Sequence, residues 1–240
     1  MSAGETGARA EIHHAHRDVN GGWLRPSVFG AMDGLVSNFA LIAGVAGGAA
    51  GTKVIVLAGM AGLAAGAFSM AGGEYVSVAS QRELAMAEID IERRELQRNP
   101  ESEQEELAKL YESRGVDPDL AAEVARQISR DPEKALEVHT LAELGVTLDD
   151  LPSPKTAAIS SFLSFGVGAV LPLLPYLLGV TSLVSSAVIS CVALFGAGAL
   201  VSRVTARSWW YSGLRQLAVG VVAAALTFGL GHLLGGGGLG

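Results

Sequence analysis

The sequence predicts an all-α membrane protein with five transmembrane helices and a helical, acidic insert between the second and third. Three observations predict it. Half of the 240 residues are hydrophobic and the mean hydropathy is +0.38, a composition that leans toward a membrane protein. Five stretches reach the roughly 20 apolar residues a helix needs to cross a bilayer. Charge is also segregated. Of 41 charged residues (17 basic, 24 acidic), 29 fall between Gln81 and Lys155, where 19 acids and 10 bases give a net of −9. After Lys155 there is no acid at all.

The expected spans are Ser27 to Gly48, Val54 to Gly73, Ala157 to Leu178, Ser182 to Val201 and Gln216 to Leu234. They divide the chain into an N-terminal tail (1–26), a first pair of spans (27–80), the insert (81–153), a second group of spans (154–234) and a glycine-rich tail (235–240). In the third span Pro172 and Pro175 are expected to kink or unwind the far end. The first 26 residues are polar and hold no apolar core of a cleaved signal peptide. Gly4 to His16 and the tail from Gly235 onward read as disordered; His13, His14 and His16 fit either a floppy polar tail or a metal ligand set. Gly44 with Gly48, and Gly62 with Gly66, form small-xxx-small pairs that suit close helix packing within the chain or between two chains. Cys191 is alone, so no disulfide framework exists and its expected role is packing.

Basic residues near span ends set orientation. Arg17, Arg25, Arg82, Lys155, Arg203, Arg207 and Arg215 fall on one side and Lys53 alone on the other. That side is the cytoplasmic one, so the N-terminus and the insert are expected in the cytoplasm and the C-terminus outside. Trp23, Trp209, Trp210 and Tyr211 suit the cytoplasmic interface belt.

The insert reads as helices. Gln81 to Arg98 has no glycine or proline, so the second span is expected to continue straight into it. Asn99-Pro100, Asp117-Pro118 and Asp131-Pro132 each pair an N-cap with a first-turn proline; they open helices ending near Arg114, Ser129 and Leu144. Gly115 and Gly145 are the expected terminators. So few short helices bury little core alone, and a partner or bound metal is expected to help.

Two kinds of carboxylate carry chemistry. Asp33, near the polar pair Ser37/Asn38, and Glu74, at the end of the second span, are ionisable groups beside or within lipid. Such groups are costly there and normally face a pathway, and a negative one suits a cation. In the insert, Glu88, Glu92 and Glu95 share one helix face at i, i+4 and i+7; Glu103 and Glu106 are i, i+3, and His139 and Glu143 are i, i+4. Like charges so stacked repel unless a cation offsets them. Oxygen donors with one imidazole suit divalent iron, manganese or zinc, and the lack of thiolates argues against copper(I) or an iron–sulfur cluster. The other reading is a solvated face laced with pairs such as Asp90/Arg94.

Three segments resemble the vacuolar iron transporters of plants, their yeast calcium-cross-complementer relatives and, most closely, the bacterial branch. They are Gly30-Ala-Met-Asp-Gly-Leu-Val-Ser-Asn-Phe-Ala-Leu, Ala65-Gly-Ala-Phe-Ser-Met-Ala-Gly-Gly-Glu-Tyr-Val-Ser and Leu171-Pro-Leu-Leu-Pro-Tyr176. The likeness runs from about Arg25 to Leu234. It implies a homodimer of five-span protomers that exports ferrous iron or manganese from the cytosol in exchange for protons. On that likeness Asp33 and Met70 belong to the transport path, and Glu92, Glu95, Glu103, Glu106 and Glu143 to a cytoplasmic metal-collecting domain; Glu74 and Asn38 are further candidates for the path, and His139 and Glu88 for the metal set. Two departures stand out. Gly62 occupies the place of a second-span glutamate, with Glu74 one turn past Met70 able to replace its charge. His139 and Thr140 replace a methionine pair.

The expected protein is therefore a multi-pass transporter in a bacterial cell membrane. Its cargo is Fe2+, Mn2+ or Zn2+, and it needs no prosthetic group. Its partners are the metal ion, protons, the lipid bilayer and a second copy. The acidic balance points away from nucleic acid, and no nucleophile–base or phosphate-loop constellation suggests an enzyme. The rival readings are a metal-sensing or metal-storing membrane protein, a channel without proton coupling, and an anchor whose insert recruits a basic partner.

Overall fold

The structure, a computed structural model, describes residues 22–147, 151–205 and 207–236. Residues 1–21 of the N-terminal tail, with its histidines, lie outside them, as do residues 237–240 of the glycine-rich tail. Among the described residues eight α-helices follow in order: α1 Leu24–Gly47, α2 Thr52–Arg98, α3 Pro100–Ser113, α4 Pro118–Ile128, α5 Pro132–His139, α6 Pro154–Leu177, α7 Leu183–Thr205 and α8 Trp209–Gly236. One wide π-helical turn, Thr140–Leu144, prolongs α5. Helices α1, α2, α6, α7 and α8 are each long and apolar enough to cross a membrane.

The second span continues unbroken into the insert as α2, 47 residues long, as the absence of Gly and Pro past Gln81 required. The fifth span starts earlier than expected. The tryptophan pair and Arg215 lie within the first turns of α8, and the helix runs to Gly236. Trp23, Trp209, Trp210 and Tyr211 are all exposed. Pro172 and Pro175 do not unwind α6, which continues to Leu177. Neighbouring helices hold its far end. Ser186 Oγ donates to the Pro172 carbonyl at 2.7 Å, and Leu173 and Tyr176 pack with Ile42 and Ile55.

α1 is the hub and packs on all four other membrane helices. Its partners fix their directions. Asn38 reaches Ala169 on α6, and Gly34 lies against Phe165 of the same helix, so α1 and α6 run parallel. Thr227 of α8 meets Ala40 and Gly231 meets Gly44, so α8 is parallel to them as well. α2 is antiparallel: Ile55 packs near Ile42 and Gly62 near Asn38 and Leu41. α7 opposes α8, with Gly198 against Ser212 and Leu194 against Gly220. The start of α1, the insert and the α7–α8 turn therefore share one side, which is also the side of the basic residues. Both small-xxx-small pairs are consumed inside the chain: a Cβ at Gly44 or Gly48 would meet α8, and one at Gly62 or Gly66 would meet Asn38, Leu41 or Phe165.

In the insert, α2, α3, α4 and α5 enclose Leu107, Ala108 and Ala125, backed by Leu110, Tyr111, Ile128 and Val138. Asp117 and Asp131 cap α4 and α5 with their side chains. Asn99 does not cap α3; its amide donates to Glu95 Oε2 at 2.9 Å instead. Gly115 and Gly145 end their helices in the left-handed region, φ +92° and +66°.

Candidate metal centre and membrane cavity

In the insert, α2 and α3 aim acids at one imidazole on α5. Glu92 comes from α2, Glu103 from α3 and His139 from the end of α5, and a ligand atom of each lies within 4.8 Å of the others. His139 is 1% exposed. Its Nδ1 stands 3.1 Å from Glu92 Oε1, 3.2 Å from Glu143 Oε1 and 3.9 Å from Glu103 Oε2. The π turn begins just past His139 and carries Glu143, and a turn of that kind often marks a functional site.

One nitrogen cannot satisfy three carboxylates, because Nδ1 carries at most one hydrogen. Glu143 has the favourable geometry for it. Glu92 Oε1, although close, is left buried without a hydrogen-bond partner, as is His139 Nε2. Such a group costs about 1–3 kcal/mol when left unmet. Burial, then the Glu143 charge, push the Glu92 carboxyl from 4.5 up to about 7, against an opposing pull from His139; Glu103 is raised as well, by burial and Glu106. Both acids therefore stand where an ionised carboxylate is disfavoured unless a cation arrives. Three carboxylates and one imidazole form a donor set of hard and borderline character, fitted to Fe2+, Mn2+ or Zn2+.

The remaining insert acids separate. Glu106 is exposed and lines a cavity of about 430 Å³ beside the cluster, with Ser102, Lys109, His139 and Glu143. Glu95 turns to Asn99. Glu88 is exposed, one turn before Glu92, and does not join the cluster. The ion pair expected between Asp90 and Arg94 forms with Arg93 instead, at 3.3 Å. The lining residues Ser102 and Lys109 carry no spacing signal and went unforeseen.

The second site is a cavity of about 240 Å³ between α1, α2 and α6. α1 contributes Asp33, Ser37, Asn38 and Leu41; α2 contributes Gly62, Gly66, Ser69 and Met70; α6 contributes Phe165. Asp33, Asn38 and Met70 thus share one cavity. Glu74 does not line this space; it is half-buried one turn of α2 beyond Met70. Asn38 is 2% exposed, donates from Nδ2 to the Ala169 carbonyl at 2.6 Å, and leaves Oδ1 unpartnered.

Residues 24–232 match the VIT family. The chain belongs to that family. Within the VIT family it is similar to the vacuolar iron transporter of Acanthamoeba castellanii, 40% identical over 223 residues, covering 88% of this chain and 78% of the relative. It is also similar to vacuolar iron transporter 1 of Arabidopsis thaliana, 31% identical over 229 residues, 92% of this chain and 90% of the relative. Vacuolar iron transporter 1 of Oryza sativa subsp. japonica is 30% identical over 232 residues, 93% and 91% of the two chains. VIT membership makes this a multi-pass membrane protein of a transporter family. These relatives are eukaryotic and named vacuolar, and they lend no support to a bacterial cell membrane as its location.

Proposed function

We propose that the chain exports divalent transition metal, ferrous iron or manganese, from the cytosol as a homodimer, in exchange for protons. The observation that supports this most is the continuity of α2. One unbroken helix carries Glu92 of the buried cluster and Met70 of the membrane cavity. These residues lie about 33 Å apart along the axis at 1.5 Å per residue. The insert, on the cytoplasmic side by the basic-residue bias, captures the ion on Glu92, Glu103, His139 and Glu143, with Glu106 on the rim and Glu95 and Glu88 attracting from nearby. The ion then enters the cavity at Asp33, where the Met70 thioether adds preference for transition metals. A carboxylate that exchanges its proton as metal passes supplies the coupling, and Glu74, one turn of α2 beyond Met70 and outside the cavity, is the candidate.

The test is flux into liposomes holding the purified protein and a metal-sensing dye, with Fe2+, Mn2+ or Zn2+ and with or without a pH gradient. Metal movement that an opposing proton gradient accelerates is the expected result. Tight binding with no flux would transfer the protein to the sensing or storage reading. Flux indifferent to the gradient would leave a channel.

A further inference from the structure

The Asn38 side chain does two things with its two ends. Its nitrogen is fixed by the Ala169 carbonyl, which can only accept, so the atom 2.6 Å away must be Nδ2 and Oδ1 must face the other way. That oxygen is buried, unpartnered, and looks toward Gly62, where a Cβ would lie 3.1 Å from it. A tether between helices needs no such orphan. Thr227 ties α8 to α1 through a hydroxyl that donates to Ala40 O, with no acceptor left stranded. The depth of Asn38 also differs from that of Asp33. Five residues on α1 separate them by about 7.5 Å of rise, and antiparallel α2 brings Met70 toward the level of Asp33 and Gly62 to that of Asn38.

We propose that Asn38 is a specificity-determining residue, an uncharged oxygen ligand that forms a second stop one tier deeper than Asp33, and that Gly62 lacks a side chain so that this oxygen stays open. The proposal rests on the transport reading above. A path conducts when each stop binds well enough to admit the ion and weakly enough to release it. A carboxylate at the first stop followed by a neutral carbonyl at the second meets both demands. The carbonyl is also a hard donor, so it favours Mn2+ and Fe2+ over softer ions that the thioether of Met70 would accept equally.

The experiment compares Mn2+ and Zn2+ transport by the reconstituted full chain and four variants. Gly62→Ala covers Oδ1 while leaving the Nδ2–Ala169 bond intact, because the flexible Leu41 side chain is the other neighbour that must give way. It should raise KM for Mn2+ by roughly tenfold, the lower end of the loss on disturbing a ligand's surroundings, and that for Zn2+ much less. Asn38→Leu should do the same; if it does not fold, Gly62→Ala carries the test alone. Asn38→Asp should lower KM and kcat together, because the second stop now holds the ion too tightly. An unchanged Mn2+/Zn2+ preference in Gly62→Ala overturns the proposal. The control is Asp33→Asn. Silence there with wild-type behaviour in Gly62→Ala removes Asn38 only, whereas wild-type flux in Asp33→Asn, or none in the parent, overturns the transport path and this inference with it.

Discussion

Glu92 Oε1 and His139 Nδ1 stand 3.1 Å apart, yet the carboxylate oxygen has no hydrogen bond, because the geometry of that nitrogen favours Glu143. Three acids crowd one buried ring. A cation among them would give each oxygen a partner at once, which a single proton cannot.

The cluster should therefore dominate metal affinity in the full-length protein. Glu92→Gln, Glu103→Gln and His139→Ala are each expected to weaken Mn2+ or Zn2+ binding at least about tenfold by titration calorimetry. Glu88→Gln should weaken it far less, since that side chain is exposed and outside the cluster. Equal losses from all four would mean that diffuse negative charge, not the cluster, binds the ion.

Acidity should act on binding and stability in opposite senses. Glu92 is raised from 4.5 to about 7. Between those values the folded protein holds a proton that the unfolded chain releases. Metal-free stability from this group is therefore fully present at lower pH and lost as pH rises through the window. The ion must displace the same proton, so affinity should climb with pH and level off above about 7. Thermal unfolding with and without Mn2+ across about pH 5 to 8 checks both slopes. A flat affinity profile would detach Glu92 from the ion.

Most of the architecture was legible because lipid enforces simple rules. Charge-free stretches such as Val54 to Gly73 are long and apolar enough to cross a bilayer, and Asp117-Pro118 and Asp131-Pro132 opened the helices they announced. Asn99-Pro100 opened its helix without a side-chain cap, and the Asn99 amide nitrogen donates back to Glu95. Pro172 and Pro175 misled for a related reason, as tertiary neighbours rather than local sequence decide whether a proline breaks a membrane helix. In the candidate site, helix-face spacing pointed to acids on each helix but could not rank them. Glu88, Glu92 and Glu95 share one stripe, and only the placement of α3 and α5 singles out Glu92. The π turn after His139 left no trace in composition.

Topology offers an independent check. The parallel run of α1, α6 and α8 puts the insert and the end of α8 on opposite faces of the helical bundle. Impermeant thiol labels at cysteines introduced at Gly115 and Gly235, in a background lacking Cys191, should react from opposite sides. Reaction of both from one side would require one of the five helices not to cross.

Inside the membrane, Asp33 is the one carboxylate lining the cavity, and Glu74 stands outside it. Asp33→Asn keeps the shape and removes the charge that draws a divalent cation out of water. Flux should stop while expression and the size-exclusion profile stay as in the parent protein. Met70→Ala should lower flux and let Ca2+ or Mg2+ compete, because a thioether favours transition metals and an alkyl stub favours none. Glu74→Gln should leave metal entry largely intact and flatten the response to a pH gradient, since a carboxyl beside the path can exchange protons without holding the ion. Wild-type flux in Asp33→Asn would place the path elsewhere. An undiminished pH response in Glu74→Gln would pass the exchange to another acid, of which Asp33 is the nearest on the path.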